Sequence, residues 1–279
     1  MKVITPVKKV KKFATAQSIK ISEKTIVTAK EAHSFLSDIG NMALFVARIF
    51  RETFSPHFEF REFLRQCFNI GYKSLPLIAI TGAIMGVVLT IQSRPALNTF
   101  GAVTLLPGMV GVSIIREIGP VITALICAGK IGSGMGAELG SMKVTEQIDA
   151  MEVSATNPFK YLVITRVVAA TLMLPILVLF ADATGLFGSW VGVNIKGSVN
   201  IVLFISQAFG SIHFRDFLPA LIKSYVFGAV IGTVGCYNGY NAGRGTESVG
   251  IAANSAVVVS SLLVIVVDMI AVQITDMLL

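Results

Sequence analysis

Five long apolar segments dominate the chain and predict transmembrane helices. Crossing the hydrocarbon core of a bilayer takes about 20 largely apolar residues, and runs of that length recur along the sequence. The predicted spans cover about residues 74–94, 103–130, 160–193, 217–241 and 247–275. The second span begins near Val103 because prolines and glycines interrupt the residues before it. The pattern indicates an all-α integral membrane protein.

Two amphipathic stretches precede the first span. Within residues 31–54, apolar residues recur three or four positions apart from Phe35 to Phe54, and residues 58–72 repeat the pattern with phenylalanines. Such stretches are typical of helices that lie in the membrane interface, although a soluble helical hairpin docked on the cytoplasmic face has the same periodicity. The predicted regions are a basic cytoplasmic tail (1–30), interfacial helices (31–72) and a transmembrane domain (73–279).

Composition agrees with a membrane protein. Hydrophobic residues make up 54% of the chain and charged residues only 14%, whereas about a quarter of the residues in soluble domains are charged. The net charge of +7 is concentrated near the N-terminus, where residues 1–20 hold six lysines and no acidic residue. No nucleic-acid recognition motif follows, so this tail fits anionic lipid headgroups better than DNA.

The basic residues between the spans also predict an orientation. The side shared with the tail carries Lys130, Lys143, Lys160, Arg166 and Arg244, and the opposite loops carry Arg94, Lys196 and Arg215. Cytoplasmic loops are enriched in Lys and Arg. The N-terminus is therefore predicted in the cytoplasm, and five spans place the C-terminus outside.

Several catalytic and metal-binding patterns are absent from the sequence. The only Gly-Lys pair, Gly129-Lys130, lacks the Ser or Thr and the upstream glycine of a phosphate-binding loop, so the chain itself is not expected to hydrolyse ATP. The glycine cluster at 129–140 follows a span rather than a strand, which argues against a dinucleotide site. The cysteines and histidines are dispersed without ligand spacing, and neither a disulfide framework nor a metal site is expected.

Charges inside the apolar runs are the first candidates for function. Arg116 and Glu117 interrupt the second span, and Pro120 is predicted to bend or break the helix after them. A charge at membrane depth is costly and normally faces the protein interior or a wet cavity, which predicts a functional role. Pairing that only fixes helix packing is the alternative. Further isolated charges are Asp182, Lys223 and Asp268. A lysine near the end of a span can instead snorkel to the outer interface, which is the alternative for Lys223.

Glycines recur four residues apart in three of the predicted spans. The sets are Gly82/Gly86, Gly188/Gly192, Gly228/Gly232 and Gly235/Gly239/Gly243. This spacing lets helix backbones approach closely. The contact is either functional, as a seam between two copies or a moving helix contact, or static packing within one chain.

Residues 138–153 are predicted to form one short amphipathic helix between the second and third spans. Its apolar face carries Val144, Ile148 and Met151, and its acidic stripe carries Glu146, Asp149 and Glu152. Such a helix suits docking into a groove of a cytoplasmic partner. Its acidity argues against a position on anionic headgroups.

Two stretches resemble a known family. The first, at 116–153 and followed by Asn157-Pro158, reads REIGPVITALICAGKIGSGMGAELGSMKVTEQIDAMEV. It is similar to the MlaE/YrbE permeases, the membrane subunits of lipid-trafficking ABC transporters that work with MCE-domain proteins. The second, at 236–268, reads CYNGYNAGRGTESVGIAANSAVVVSSLLVIVVD and resembles the C-terminal signature of that family. The resemblance covers about residues 60–279.

The resemblance implies partners and site residues. Two permeases would pair as a homodimer in the inner membrane, a cytoplasmic ABC ATPase dimer would bind ATP and Mg²⁺, and an MCE-domain protein would lie on the outer side. The permease itself would hold no catalytic residue and bind no cofactor directly. The residues expected to couple to the ATPase are Glu138, Lys143, Glu146, Gln147, Asp149 and Met151. A lipid cavity between the two permeases would be lined by Leu89, Leu97, Phe100, Glu117 and Ile118, to which the charge argument adds Arg116 and Lys223.

The function expected from this resemblance is transport of phospholipid or a related lipid between the inner membrane and the MCE-domain partner, which maintains envelope lipid asymmetry. A different hypothesis is an autonomous secondary transporter or ion channel that uses Glu117, Asp182 and Asp268 as a proton or ion path. Such a protein would work without an ATPase and show internal repeats, and the two halves of the sequence show no convincing similarity. A third hypothesis, a passive membrane scaffold, does not explain the intramembrane charges Arg116 and Glu117.

Overall fold

A computed structural model describes residues 37–55, 58–195 and 197–278. All regular secondary structure within these ranges is helical. The chain divides into two compact units, one ending at Arg51 and the other comprising Glu52–Leu279. The basic tail predicted at 1–30 lies outside the described residues, as does Lys196.

The helices vary from short connecting pieces to long membrane spans. They are α1 (37–53), α2 (Phe60–Ile70), α3 (Leu75–Thr99), α4 (Leu106–Ser113), α5 (Gly119–Cys127), α6 (Ser133–Val144), α7 (Gln147–Val153), α8 (Thr165–Asn194), α9 (Ile201–Ser211), α10 (Phe214–Tyr240) and α11 (Thr246–Leu278). Narrow 3-10 turns at Tyr72–Ser74 and Val103–Leu105, and wide π-helical turns at Ile114–Ile118, Ala128–Gly132 and Phe159–Ile164, join several of them. The joined helices form longer continuous rods.

Five rods within the described ranges are long and apolar enough to cross a membrane. They are Phe60–Thr99, Val103–Val144, Phe159–Asn194, Phe214–Tyr240 and Thr246–Met277. The predicted five-span, all-α fold is confirmed. The second rod continues past residue 130 to Val144. Of the predicted bend or break at Pro120, the break is therefore wrong, and the bend stays a prediction. A π-helical turn just before the proline accommodates its missing N–H, so the rod continues.

The central helix is α8, which packs against α2, α3, α5 and α10. In the most apolar 18-residue stretch of the third rod, 67% of the residues are buried, against 17% in the corresponding stretch of the fifth rod. The third rod therefore lies among the first, second and fourth rods. The fifth rod, α11, packs on α6 and α10, and few of its residues are fully buried.

Glycines allow α3 and α8 to touch along their backbones. A Cβ atom at Gly86 would lie 1.9 Å from the carbonyl oxygen of Gly185, and one at Gly188 would lie 2.0 Å from that of Ala83. Further glycines pressed against neighbouring helices of the same chain are Gly82, Gly192, Gly228, Gly232, Gly235 and Gly239. These glycines therefore lie at contacts within one chain rather than at a seam between two copies.

The two amphipathic stretches form α1 and α2. In α1 the buried residues are Phe45 and Ile49. In α2, Glu62 accepts a hydrogen bond from Gln66 Nε2 at 2.7 Å, and both are buried where α2 meets the third rod. The phenylalanines of α2 are mostly exposed, so this helix turns its polar side toward the protein and its aromatic side outward.

The helix predicted at 138–153 is divided in two. The second rod runs on through α6 to Val144, Glu146 takes a left-handed φ of 59°, and α7 begins at the next residue. Ile148 is 1% exposed and anchors α7, while Lys143 and Asp149 form an ion pair across the break at 2.9 Å. The prediction of one continuous helix is therefore wrong. The break keeps the apolar residues facing inward, so their periodicity is the same as in an unbroken helix.

The apolar pattern did not predict α9, a helix between the third and fourth rods. Asn200 caps it by accepting a hydrogen bond from the backbone N–H of Val202 at 3.0 Å. Its buried residues are Phe204 and Ala208, which pack against α4 and α8. The helices α7 and α9 lie at opposite ends of the membrane rods, which we name the α7 end and the α9 end.

Candidate functional site

Lys223 of α10 is the centre of the candidate site. Only 5% of its side chain is exposed. Its Nζ donates hydrogen bonds to Glu117 Oε2 at 2.7 Å and to Asp268 Oδ1 at 3.0 Å. Because Glu117 belongs to the second rod and Asp268 to α11, one ammonium group joins three spans. The interpretations of Lys223 as snorkelling and of Asp268 as isolated are both wrong.

A second ion pair lies beside the first. Arg116 Nη1 is 3.8 Å from Oδ1 of Asp216, a residue in the first turn of α10. Asp216 Oδ2 also accepts a hydrogen bond from the backbone N–H of His213 at 3.0 Å, which caps α10. We name Arg116, Glu117, Asp216, Lys223 and Asp268 the charge cluster.

Sequence reasoning missed Asp216, although a signal for it was present. Asp216 and Lys223 are seven residues apart, which places them on the same face of a helix two turns from each other. An acid at this spacing from an intramembrane lysine therefore marks a charged face of α10, although it does not identify the helix that this face meets.

The π-helical turn at Ile114–Ile118 explains how two adjacent residues reach the same neighbouring helix. Successive residues of an α-helix point about 100° apart, yet Arg116 and Glu117 both contact α10. A π-helical turn widens the helix locally, and such turns occur often at functional sites. The widened turn brings both charges to α10.

Burial differs within the cluster and decides which charge is accessible. The side chain of Lys223 is enclosed, whereas Asp268 is 19% and Glu117 37% exposed. A buried ammonium needs partners, since an uncompensated charge away from water is costly. Lys223 therefore holds the cluster together, and Glu117 is the carboxylate that a ligand can reach.

An open apolar groove adjoins the cluster between α10 and α11. Its volume is about 430 Å³, and Lys223 forms part of its wall. The rest of the lining is almost entirely aliphatic. Polar groups placed beside such an apolar surface suit an amphiphilic ligand.

The seven residues predicted to line a lipid cavity do not meet in one chain. Arg116, Glu117 and Lys223 come together in the charge cluster. The others lie apart: Leu89 and Leu97 pack around Leu106, Val110 and Phe204, Phe100 is 82% exposed, and Ile118 lines a small gap between α3, α5 and α8. A shared cavity between two copies stays a prediction.

Asp182 of α8 is buried and takes no part in the ion pairs just described. Its side chain is directed at Gly119, where a Cβ atom would lie 1.8 Å from Asp182 Oδ1. That oxygen has no hydrogen-bond partner in the described part of the chain. The backbone at Gly119 has to lack a side chain for the carboxyl group to fit.

The residues predicted to couple to an ATPase lie at the α7 end. Glu138 of α6 pairs with Arg166 at 2.8 Å, and this arginine is 2% exposed and also donates to the Leu162 carbonyl at 2.9 Å. Glu146 and Gln147 are exposed at the corner between α6 and α7, and Met151 is half-buried. The corner is thus tied to α6 by the Lys143–Asp149 pair, and α6 is tied to α8 by the Glu138–Arg166 pair.

The described residues contain no group of three or more His, Cys, Asp or Glu side chains that could hold a metal ion. Cys67, Cys127 and Cys236 are free thiols.

The chain is similar to known proteins of one family. The family model for the permease MlaE matches residues 63–274. A probable ABC transporter permease of Rickettsia typhi is 37% identical over 240 residues, which cover 86% of this chain and 93% of that protein. The intermembrane phospholipid transport system permease protein MlaE of Haemophilus influenzae is 34% identical over 245 residues, covering 86% and 93%. The chloroplastic protein TRIGALACTOSYLDIACYLGLYCEROL 1 of Arabidopsis thaliana is 34% identical over 208 residues, covering 75% and 59%. The chain is a multi-pass membrane protein that belongs to the MlaE permease family.

Proposed function

We propose that this chain is the permease subunit of an ABC transporter that moves phospholipid, or a related lipid, between the inner membrane and an MCE-domain protein on the outer side, and so maintains envelope lipid asymmetry. The observation that carries the proposal is the charge cluster, which joins three spans beside apolar surface in a chain of the MlaE family. The Haemophilus relative, named for intermembrane phospholipid transport, supports this choice of substrate.

The chemistry of the site suits a phospholipid. Acyl chains need an apolar wall, and a headgroup needs only a few placed polar contacts. Arg116 and Glu117 are 40% and 37% exposed, respectively, so both can contact a headgroup while Lys223 holds the Glu117 carboxylate in place. Two copies of the chain would place these residues, with Leu89, Leu97, Phe100 and Ile118, around a common cavity.

The free energy for transport would come from a separate ATPase dimer that binds ATP and Mg²⁺, while the permease itself does no covalent chemistry. We place the ATPase contact at the α6–α7 corner. Ile148 and the Lys143–Asp149 pair hold this corner to α6. Because α6 continues the rod that carries Glu117, a push on α7 is transmitted along that rod to the charge cluster.

The transport step is tested with the permease, its ATPase and its MCE-domain partner reconstituted in liposomes that contain a fluorescent phospholipid. Glu117→Gln keeps the size of the side chain and removes its charge. We expect transfer to fall at least about tenfold, the effect of about 1.4 kcal/mol, with the ATPase still bound. The matched control is Asp276→Asn, an exposed carboxylate on α11 outside the cluster. Wild-type transfer by Glu117→Gln contradicts the role of the cluster, and transfer that needs no ATPase favours an autonomous carrier.

The docking step is tested by co-purification of the ATPase. Reversal of two corner charges, Glu146→Lys with Asp149→Lys, is expected to release it. Because Asp149 pairs with Lys143, the control exchanges that pair, Lys143→Asp with Asp149→Lys, and leaves Glu146 in place. We expect this control to fold as the wild type and to retain more ATPase than the double reversal. Intact co-purification with the double reversal overturns the docking assignment.

A further inference from the structure

The groove between α10 and α11 has two apolar walls of similar length. The wall on α10 is formed by Leu218, Ile222 and Val226, and the wall on α11 by Val267, Ile270 and Ile274. Residues four apart on a helix lie about 6 Å from each other along its axis. The α10 wall is therefore about 12 Å long and the α11 wall about 10 Å long. Those lengths, and a groove volume of about 430 Å³, fit part of a single extended hydrocarbon chain.

The polar groups of the groove are concentrated toward the α9 end. A narrower gap lined by Arg116, Glu117, Arg215 and Asp216 shares Pro219, Lys223, Ala271 and Thr275 with the groove. Lys223 already bonds to two carboxylates. The cations that remain for a ligand are Arg215 and Arg116.

Arg215 is the cation best placed for an anionic group. It is exposed in the first turn of α10, and no carboxylate within the described ranges forms an ion pair with it. Arg116 is 3.8 Å from its carboxylate partner, which is longer than a charge-assisted hydrogen bond of about 2.7–2.9 Å. Its guanidinium therefore has donors to spare for a phosphate oxygen.

We infer that the α10–α11 groove binds one acyl chain of a phospholipid from the leaflet at the α9 end, with its phosphate held by Arg215 and Arg116. The site rests on the proposed transport function, for which it names a lipid-binding surface carried by each single chain. The charge pattern favours this occupant over a second copy of α11 or a partner helix. An apolar helix would cover the aliphatic walls, but it would leave the exposed arginine at the end of the groove without a partner.

The experiment uses fluorescence quenching by brominated lipids, which reports lipid within contact distance of a tryptophan. The chain contains one tryptophan, so Trp190→Phe gives a silent background in the full-length protein. Ile270→Trp places the probe in the groove. The control, Met269→Trp, is at the same depth of α11 on an exposed face outside the groove. The proteins are placed in phosphatidylcholine nanodiscs that contain either dibrominated phosphatidylglycerol or dibrominated diacylglycerol.

We expect the phosphatidylglycerol to quench Ile270→Trp at least about fivefold more strongly than the diacylglycerol. A preference of this size corresponds to the free energy of one exposed charge-assisted hydrogen bond. Arg215→Gln is expected to abolish this preference, and Met269→Trp to show none. Equal quenching by both lipids at both positions means ordinary bilayer contact and overturns the site. If Ile270→Trp is not quenched, protein covers the groove and the site is overturned. A preference for phosphatidylglycerol that persists in the Arg215→Gln variant also overturns the site.

If Trp190→Phe is poorly folded, the same comparison is made with Trp190 retained, by subtracting the signal of the wild type from that of each variant. Binding is read without ATP or an ATPase, so failure of the groove leaves the transfer assay standing. Failure of the transfer assay likewise leaves the measured lipid preference standing.

Discussion

At the scale of single residues, Lys223 decides the stability of the charge cluster. It is the only member whose side chain is enclosed, and it bonds to two carboxylates on two other spans. Removing one partner of a buried ion pair is far more costly than removing the whole set, because it leaves uncompensated charge. Lys223→Met is therefore expected to lower the free energy of unfolding by about 3 kcal/mol. Asp268→Asn should lower the free energy of unfolding less than Lys223→Met does, and Glu117→Gln should lower it least, because Glu117 is the more exposed of the two carboxylates.

This order can be measured with a thiol-reactive fluorogenic dye during heating in detergent, since Cys127 and Cys236 are buried at 1% and 0% exposure and react only on unfolding. The neutral triple variant, Lys223→Met with Glu117→Gln and Asp268→Asn, is the control and should recover most of the lost stability. A single Lys223→Met that unfolds at the wild-type temperature contradicts the central role of this lysine.

The sequence identified part of the cluster but not its pairing. Arg116 and Glu117 stand out because charge within a 20-residue apolar run needs a reason. The partner of each depends on which faces of α10 and α11 meet the second rod, and no local pattern contains that information. Lys223 shows the limit most clearly, since a lysine near a span end can either snorkel or pair, and only the neighbouring carboxylates select between these positions.

At the scale of elements, the contact between α3 and α8 depends on glycine. Backbone oxygens occupy the space that a Cβ atom at Gly86 or Gly188 would need, so an added methyl group must push the two helices apart. Gly86→Ala and Gly188→Ala are each expected to destabilise the protein by about 1–3 kcal/mol, the usual cost of overpacking. The same thermal assay measures the loss.

Gly250 of α11 is the matched control for these variants, because a Cβ atom there would meet no atom within 4 Å. Alanine has a higher helix propensity than glycine, so Gly250→Ala is expected to be neutral or to stabilise by up to about 1 kcal/mol. If Gly86→Ala is as stable as Gly250→Ala, the close backbone contact is not a determinant of the fold.

The elements themselves were predictable to different degrees. Long apolar runs fixed the number of spans because the bilayer sets their length. The division at Glu146 was not predictable, because Val144, Ile148 and Met151 keep one periodicity across the break. The capping Asn200 and the apolar run after it are signals for the helix α9, but its 11 residues are too few to cross a membrane.

At the scale of the whole molecule, the asymmetry of burial indicates where other chains or lipids must cover the protein. In the most apolar 18-residue stretch of the third rod 67% of the residues are buried, and in that of the fifth rod only 17%. Both rods are apolar enough to span a membrane. Phe100, which is predicted to line a cavity between two copies, is 82% exposed. Such a cavity depends on the second copy, so neither the sequence nor one folded chain defines its walls.

The orientation in the membrane is the remaining whole-molecule prediction. Five spans place α7 and α9 on opposite sides, and the Lys and Arg excess in the tail and at the α7 end predicts that this end is cytoplasmic. Alkaline phosphatase, which is active only outside the cytoplasm, is fused after Leu279 and, separately, after Gly243 in the loop between α10 and α11. We expect activity from the first fusion only, and green fluorescent protein fusions at the same positions should fluoresce from the second only. The opposite result would place α7 outside, where no cytoplasmic ATPase can reach it, and would overturn the coupling mechanism even if the span count stands.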